Sequence, residues 1–334
     1  MATPFPLVSV LIPVYGVELY IEECLRSVLR QTYTPLEIIL VDDASPDQSI
    51  ELAERVIAQD NRYRHQVHIV RHEKNLGIVG ARITALKKAQ GELLFFLDSD
   101  DYFLSPYAIE KSVECMLREQ ADMLIFNYTE LFKKSQRRST LPRIYDSKKL
   151  VYALLEGTTP AYFWNKVFRR DLFLEKANFF QMGNNMWEDM QNVVLYSLVT
   201  QRIVYLEDNF VAYRRTNERS VTLDFSSNNI LSMRRVVIFL SEHFKKHYTG
   251  NELEYLNEGL NKASSVVDLV VLCSSNYQGM RKALTAYPSL HTYAQEVGGV
   301  GGKILRLALL FYRKRMPHIA YALLRLKASL RHLR

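Results

Sequence analysis

The sequence predicts an α/β protein with a mainly parallel sheet flanked by helices, followed by a helical C-terminal region. Through the first 130 residues, short β-branched or apolar runs alternate with amphipathic segments, which is the pattern of βαβ units. Acidic clusters follow two of these runs, at residues 42–47 and 98–101. Beyond Ser226 the pattern becomes helical throughout, so we expect an α/β domain over residues 1–225 and a helical region over residues 226–334.

Five strands are predicted in chain order, at residues 8–12, 37–41, 67–70, 92–97 and 122–126. Between the first four, apolar residues recur at helical spacing, and we expect these faces to cover the sheet. The helical segments lie at residues 19–29, 52–57 and 83–89. The fourth strand is apolar without interruption, which favours a strand buried on both faces.

The elements that follow are less regular. Residues 131–147 are basic and polar and predict either a loop or a hairpin. A helix is expected near residues 190–199, and short strands near residues 203–206 and 210–213, with Glu207-Asp208-Asn209 as the turn between them.

The composition is typical of a globular protein in a reducing compartment. The 334 residues are 48% hydrophobic and 24% charged, and three widely spaced cysteines argue against a disulfide framework or a thiolate metal site. The sequence has no apolar run long enough to span a bilayer and no basic segment followed by an apolar one at its start. We therefore expect a cytoplasmic protein that is neither secreted nor integral to a membrane.

The net charge of +7 is concentrated in residues 303–334, which contain nine Lys or Arg and no Asp or Glu. Two short helices separated at Pro317 are expected there, with Leu, Phe and Tyr beside the basic side chains. Such helices either lie on an anionic membrane surface, here the inner face of the cell membrane, or pack on the core with a solvated basic face. Nucleic acid is not an expected partner, because no recognised binding module accompanies the charge.

Three carboxylates are expected to project together from the C-terminal edge of the sheet. Asp98, Asp100 and Asp101 follow the buried fourth strand directly, and open α/β sheets bind ligands at this edge. Close carboxylates repel one another, and a divalent cation that takes oxygen ligands relieves the repulsion. The alternative is an ordinary acidic turn that closes a strand.

A carboxylate is also the expected catalytic base. Histidine is absent between His72 and His243, and the chain has neither a glycine-rich dinucleotide or phosphate loop nor a nucleophile elbow. Among the acidic pairs, Glu188-Asp189 beside Trp187 is the better candidate for a site. The alternative is a structural role for this pair, because acidic residues in a first helical turn complement the helix dipole.

A series of short motifs occurs in a fixed order up to about residue 222, over roughly two thirds of the chain. These are Val8-Ser9-Val10-Leu11-Ile12-Pro13-Val14-Tyr15-Gly16, Ser27-Val28-Leu29-Arg30-Gln31-Thr32-Tyr33, Val41-Asp42-Asp43-Ala44-Ser45-Pro46-Asp47, Asn75-Leu76-Gly77, Gly80-Ala81-Arg82, Asp98-Ser99-Asp100-Asp101, Phe163-Trp164-Asn165-Lys166-Val167-Phe168, Trp187-Glu188-Asp189 and Tyr213-Arg214-Arg215. Their joint order and spacing resemble those of family 2 glycosyltransferases with a GT-A fold. One departure is Gly16, where that family commonly has Asn.

The resemblance implies a site for a nucleotide-sugar, usually a uridine diphosphate sugar, with a divalent cation. The residues implied to bind the nucleotide-sugar are Pro13, Val14, Tyr15, Asp43, Arg82, Asp98 and Ser99. Asp100 matches the ligand of Mg²⁺ or Mn²⁺, with Asp101 close by, and Asp189 matches the catalytic base. Lys166 and Arg214 or Arg215 could contact phosphates or be structural cations.

The activity that the resemblance implies is inverting, metal-dependent transfer of one sugar to a hydroxyl of a growing, lipid-linked surface glycan. Single-sugar transfer is favoured, because the Gln-x-x-Arg-Trp motif and membrane spans of processive relatives are missing. The alternatives are a sugar-phosphate nucleotidyltransferase, which shares the fold and the metal carboxylates, and a non-catalytic membrane-associated scaffold.

Overall fold

The computed structural model describes residues 5–60, 66–176, 179–217 and 226–274, together with residue 308. The chain divides into two compact units, Met1–Leu223 and Asp224–Arg334. This division falls within two residues of the expected boundary at residue 225. The roles assigned to the two regions stay predictions.

The first unit is built on a mixed sheet whose described strands follow the order β3-β2-β1-β4-β8-β6-β9-β5, with β7 paired to β6. Its strands are β1 (Val8–Val14), β2 (Leu36–Asp42), β3 (Val67–Arg71), β4 (Leu93–Phe96), β5 (Tyr102–Phe103), β6 (Met123–Leu131), β7 (Gln136–Arg138), β8 (Lys166–Arg169) and β9 (Ile203–Arg214). Its helices are α1 (Ile21–Leu29), α2 (Ser49–Gln59), α3 (Gly77–Lys88), α4 (Ala108–Arg118), α5 (Ser147–Glu156), α6 (Arg170–Lys176) and α7 (Glu188–Val199). All five strands expected before residue 130 are present, which confirms the predicted α/β class.

The parallel half of the sheet consists of β3, β2, β1 and β4. Every residue of β1, β2 and β4 is buried, as their continuous apolar sequences predict. Because these strands are parallel, their carboxyl ends meet at one edge of the sheet. This edge therefore carries Tyr15, Asp43 and the acidic loop at residues 98–101, each of which follows a strand directly.

The other half of the sheet reverses direction at β8, which is antiparallel to both β4 and β6. β6 therefore runs in the same direction as β4, and β9 is parallel to β6. The basic segment at residues 131–147 contains β7, which pairs antiparallel with β6, so the hairpin alternative is confirmed.

The turn expected at residues 207–209 is wrong, because β9 is one continuous strand with register shifts opposite Asn127. The Asn127 amide donates to the Glu207 carbonyl at 3.0 Å, and the Asn209 amide donates to the Tyr128 carbonyl at 2.5 Å. These side chains supply hydrogen bonds that the bulged backbone cannot make, so turn-forming residues remain within the strand.

The described part of the second unit consists of α8 (Ser227–His247) and α9 (Gly250–Ser274), which confirms helix beyond residue 226 over that range. The Ser226 hydroxyl caps α8 by accepting a hydrogen bond from the backbone N–H of Asn229. No described helix is both long and apolar enough to cross a bilayer. The basic segment 303–334 lies outside the described residues apart from Ala308, so its proposed membrane role stays a prediction.

Candidate active site

The three carboxylates that follow β4 have different environments. The Asp98 side chain is about one-third exposed (32%) and accepts a hydrogen bond from Arg82 Nη2 at 3.0 Å. Asp100 is part-buried and accepts from the Asn217 amide at 2.8 Å. Asp101 is only 1% exposed, and its Oδ1 accepts from the Arg214 backbone N–H at 2.7 Å. Asp98 and Asp100 therefore reach the solvent, whereas Asp101 ties the acidic loop to the end of β9.

The charges in this loop oppose one another. Burial raises the pKa of Asp100 and of Asp101, and repulsion from the neighbouring carboxylates raises both further. In addition, Asp101 Oδ2 is buried and has no hydrogen-bond partner in the described part of the chain. A bound cation would relieve this repulsion, so the donor set suits a hard divalent ion.

The protein alone does not provide a complete metal cage in the region described. No three His, Cys, Asp or Glu side chains there are arranged to hold a metal ion. Of the two predicted metal ligands, Asp100 is accessible and Asp101 is buried against β9. A cation held here would take its remaining ligands from substrate or water, which is how Mg²⁺ is commonly bound.

The predicted nucleotide loop follows β1 at the same edge. Pro13 and Val14 are buried within the strand, and Tyr15 is 50% exposed. Gly16 has φ +66°, and its N–H donates to the Ser45 hydroxyl at 2.8 Å. Glycine and asparagine are the residues that adopt this left-handed conformation most easily, which explains why Gly16 can stand where the family commonly has Asn.

Asp43 anchors the loop that leads into α3. Its buried carboxylate accepts from the backbone N–H groups of Leu76 and Gly77, both at 2.8 Å, and contacts His72 Nδ1 at 2.7 Å. A Cβ atom on Gly77 would lie 2.5 Å from the Asn185 side chain, so the loop before α7 packs on this glycine. The sequence reasoning missed His72, for which the available signal was its position directly after the third strand.

Arg82, on α3, is 4% exposed and forms ion pairs with Asp98 and with Glu188. Its guanidinium also lies 4.9 Å above the centre of the Phe163 ring. Burial alone would lower the pKa of Arg82, but Glu188, Asp98 and Asp189 together raise it. The guanidinium is thus directed onto two carboxylates, one of which is Glu188, a member of the candidate acidic pair to which the sequence analysis gave no separate role.

Asp189 lies in the first turn of α7, two residues after Trp187, whose φ is +67°. The structure confirms that Glu188 and Asp189 open a helix beside this aromatic residue. Burial raises the pKa of Asp189, and the Glu188 charge adds to the effect while Arg82 opposes it, which places the pKa at about 7. A carboxyl group with this pKa is suited to accept a proton near neutral pH.

The three basic side chains that could contact phosphates or be structural all have partners within the protein. Lys166 is fully buried, and its ammonium donates to the Pro160 and Tyr162 carbonyls and the Asn165 amide oxygen at 2.8–2.9 Å. Arg214 pairs with Glu23, and Arg215 donates to the Tyr213 hydroxyl at 3.0 Å. The structural interpretation accounts for all three side chains.

Comparison with known proteins places the chain in a family. The model of glycosyl transferase family 2 matches residues 9–175, and the chain belongs to this family. It is 30% identical to the glycosyltransferase EpsJ of Bacillus subtilis over 278 residues, which cover 80% of this chain and 75% of EpsJ. The protein is therefore a glycosyltransferase, which sets aside the nucleotidyltransferase and scaffold alternatives.

Solved structures share the fold. The crystal structure of residues 1–349 of Staphylococcus aureus TarS in complex with UDP-GlcNAc matches with a TM-score of 0.65 and 20% identity, over 97% of this chain and 91% of that one. The mannosyltransferase PcManGT of Pyrobaculum calidifontis, in complex with GDP-Man and Mn²⁺, matches with a TM-score of 0.52 and 19% identity, over 99% and 88% of the two chains. The GT-A fold expected from the sequence is confirmed.

Proposed function

We propose that this glycosyltransferase transfers a sugar from a uridine diphosphate sugar to a hydroxyl of a growing, lipid-linked surface glycan, with inversion at the anomeric carbon. One observation carries the proposal: Arg82 ties Asp98 to Glu188, beside Asp189, so donor-side and base carboxylates belong to one network. The uridine preference is supported by the TarS structure, which holds UDP-GlcNAc.

On the donor side, we assign Asp98 and Ser99 to the ribose, and Pro13, Val14, Tyr15 and Asp43 to the pocket for the base. Asp100, with Asp101 behind it, would hold Mg²⁺ or Mn²⁺. When bound there, the cation supplies positive charge that stabilises the diphosphate as it leaves. Arg82 holds Asp98 in place from within the protein, at 3.0 Å.

On the acceptor side, we assign the general base to Asp189. Its carboxylate takes the proton of the attacking hydroxyl while the bond from the anomeric carbon to the diphosphate breaks. Attack from the side opposite the leaving group in one displacement inverts the configuration at that carbon. The raised pKa of about 7 supports this role, because about half of the Asp189 groups are deprotonated at neutral pH yet remain basic enough to accept a proton.

We also retain the proposal that residues 303–334 bring the enzyme to the inner face of the cell membrane, where a lipid-linked acceptor would lie. It rests on the sequence pattern of that segment. Removing the segment should abolish sedimentation with anionic phospholipid vesicles, and undiminished sedimentation would contradict it.

The test of the catalytic assignment is Asp189→Asn. We expect UDP release from UDP-GlcNAc to fall by about 10²–10⁴-fold, because the general base is lost. The affinity for UDP with Mn²⁺, measured by titration calorimetry, should stay within about twofold.

The matched control is Asp208→Asn, which changes a partly exposed aspartate that pairs with Lys111 at 2.7 Å. We expect this variant to keep wild-type turnover. Full turnover by Asp189→Asn would refute its role as the base. Tighter binding of GDP than of UDP by the wild type would refute the uridine preference.

A further inference from the structure

Four aromatic side chains form a continuous cluster, which we call the aromatic wall: Tyr128, Tyr162, Trp164 and Tyr213. The Tyr162 and Trp164 rings are stacked, with centroids 4.7 Å apart and an interplanar angle of 16°. Trp164 also contacts Tyr128 and Tyr213, at 4.9 Å and 5.0 Å between centroids. Three members are almost fully buried, at 3–9% exposure, and Tyr162 is the member with more of its surface open to solvent.

The wall lies in the half of the sheet away from the proposed nucleotide pocket. Its members come from β6, from the turn before β8, and from β9, whereas the nucleotide loop follows β1. The acidic loop after β4 lies between these two halves in strand order. The wall is also joined to that loop, because Arg214, next to Tyr213, donates its N–H to Asp101 at 2.7 Å.

The wall also lies beside the proposed base. Phe163, between the two stacked rings in sequence, lies under the guanidinium of Arg82, which pairs with Glu188. Burial raises the pKa of Tyr162, and the charge of Asp189 is among the smaller causes. Tyr162 is therefore within electrostatic range of Asp189, and its sequence neighbour Phe163 packs on the arginine that holds Glu188.

The turn that carries Tyr162 is held rigidly from within. The ammonium of Lys166 is buried, and it donates hydrogen bonds to the carbonyls of Pro160 and Tyr162 and to the amide oxygen of Asn165. Burial lowers the pKa of Lys166 to about 7, so the protein maintains this arrangement at an electrostatic cost. The Tyr162 ring is thus fixed in place before any ligand binds, which reduces the entropy lost on binding.

We propose that the part of Tyr162 left open to solvent is a contact surface for a neutral sugar ring of the acceptor, with the stacked Trp164 ring as its support. A sugar ring presents C–H groups on its faces, and these pack well on an aromatic surface. A neutral ring fits better than a polyol phosphate, because the described cations beside the wall are already paired: Arg214 with Glu23, and Arg215 with Tyr213 and Glu130. This inference rests on the proposed function, and it names the acceptor class and the residue that binds it.

The first test measures UDP release from UDP-GlcNAc with and without methyl β-glycosides of glucose, galactose and N-acetylglucosamine. We expect at least one glycoside to stimulate the wild type, and Tyr162→Leu to lower kcat/KM for that glycoside about tenfold or more. The stimulation by each glycoside is expressed relative to hydrolysis of UDP-GlcNAc by the same variant without a glycoside, which separates acceptor binding from donor chemistry. Tyr162→Phe should retain the stimulation because it keeps the ring.

The matched control is Tyr145→Leu, which changes another tyrosine of an aromatic pair in the same unit, packed on Tyr205 at 5.4 Å and 59% exposed. We expect it to behave as the wild type. Equal stimulation of the Tyr162→Leu and Tyr145→Leu variants would overturn the proposal.

A second test does not depend on the donor or on turnover. The chain has two tryptophans, Trp164 and Trp187, so in a Trp187→Phe background all tryptophan emission comes from the wall. The methyl glycosides should change this emission at millimolar concentrations, and Tyr162→Leu should abolish the change. No response to any of the three glycosides would overturn the acceptor surface. Loss of UDP-GlcNAc hydrolysis with an intact emission response would instead count against the proposed donor chemistry.

Discussion

The pH dependence of turnover tests the electrostatics of the Asp189 site most directly. With a pKa of about 7, Asp189 is about 9% deprotonated at pH 6 and about 91% at pH 8. If the deprotonated carboxylate is the base, kcat/KM rises about tenfold between these two pH values. An aspartate with an ordinary pKa would give a flat profile over this range.

Glu188→Gln is the perturbation that tests the cause of the raised pKa. The change removes the neighbouring negative charge and frees Arg82 from its partner, and both effects lower the pKa of Asp189. A shift of about one unit, which is typical for the loss of one close charge, would raise the deprotonated fraction at pH 6 from about a tenth to about a half.

The assay is the initial rate of UDP release from UDP-GlcNAc at constant ionic strength and saturating Mn²⁺, from pH 5.5 to pH 8.5. The acid limb of the profile should lie near pH 7 for the wild type and lower for Glu188→Gln. An acid limb that stays in place, or moves to higher pH, would refute the electrostatic account. Asp208→Asn serves again as a control that should leave the limb unchanged.

Three further predictions concern residues around the site. Gly77→Ala should lower the unfolding free energy by about 1–2 kcal/mol and weaken UDP binding, because φ is +77° and the Asn185 side chain lies 2.5 Å from the new Cβ. The control is Gly16→Asn, because Gly16 has open space around it. Equal melting temperatures of the two variants would contradict the reasoning. Lys166→Met should melt below the wild type by a margin that grows from pH 7 toward pH 10.5. In this range Lys166 is mostly neutral in the folded protein but still protonated in the unfolded chain, and this difference, which destabilises the folded wild type, disappears as the pH rises. A difference in melting temperature that stays constant with pH would contradict this account. Asp100→Asn should weaken Mn²⁺-dependent UDP binding at least about tenfold. Asp101→Asn should leave this binding within about twofold and raise the melting temperature at pH 7, because the substitution removes a buried charge. Equal losses of UDP affinity in calorimetry would show that both carboxylates are metal ligands.

Sequence reasoning predicted the parallel half of the sheet well because the physics there is local. Strands buried on both faces need continuous apolar runs, and such runs mark β1, β2 and β4 directly. β9 was misjudged because Glu207-Asp208-Asn209 has the composition of a turn. The amide groups of Asn127 and Asn209, from strands far apart in sequence, keep that segment in the sheet.

The sequence predicted which residues belong to the candidate site, but not which of their side chains contact one another. The sequence shows that Asp98 and Asp100 follow a strand. It does not show that the same loop turns the Asp101 side chain inward, where it accepts a hydrogen bond from the Arg214 backbone N–H. Nor does any local pattern pair Arg82 with Glu188, which lies 106 residues away. Such pairs depend on how two helices meet, which only the folded chain determines.

The position of Arg82 links parts of the site that the sequence presents as separate motifs. Asp43 fixes the start of α3 through Leu76 and Gly77, and Arg82 lies in the second turn of that helix. A displacement of the loop held by Asp43 would therefore move the guanidinium relative to both carboxylates that it pairs with. One of these carboxylates is on the proposed donor side and the other adjoins the proposed base, so Arg82 contacts both parts of the proposed site. Arg82 makes both ion pairs while it is itself buried, at 4% exposure, so water competes little for either contact.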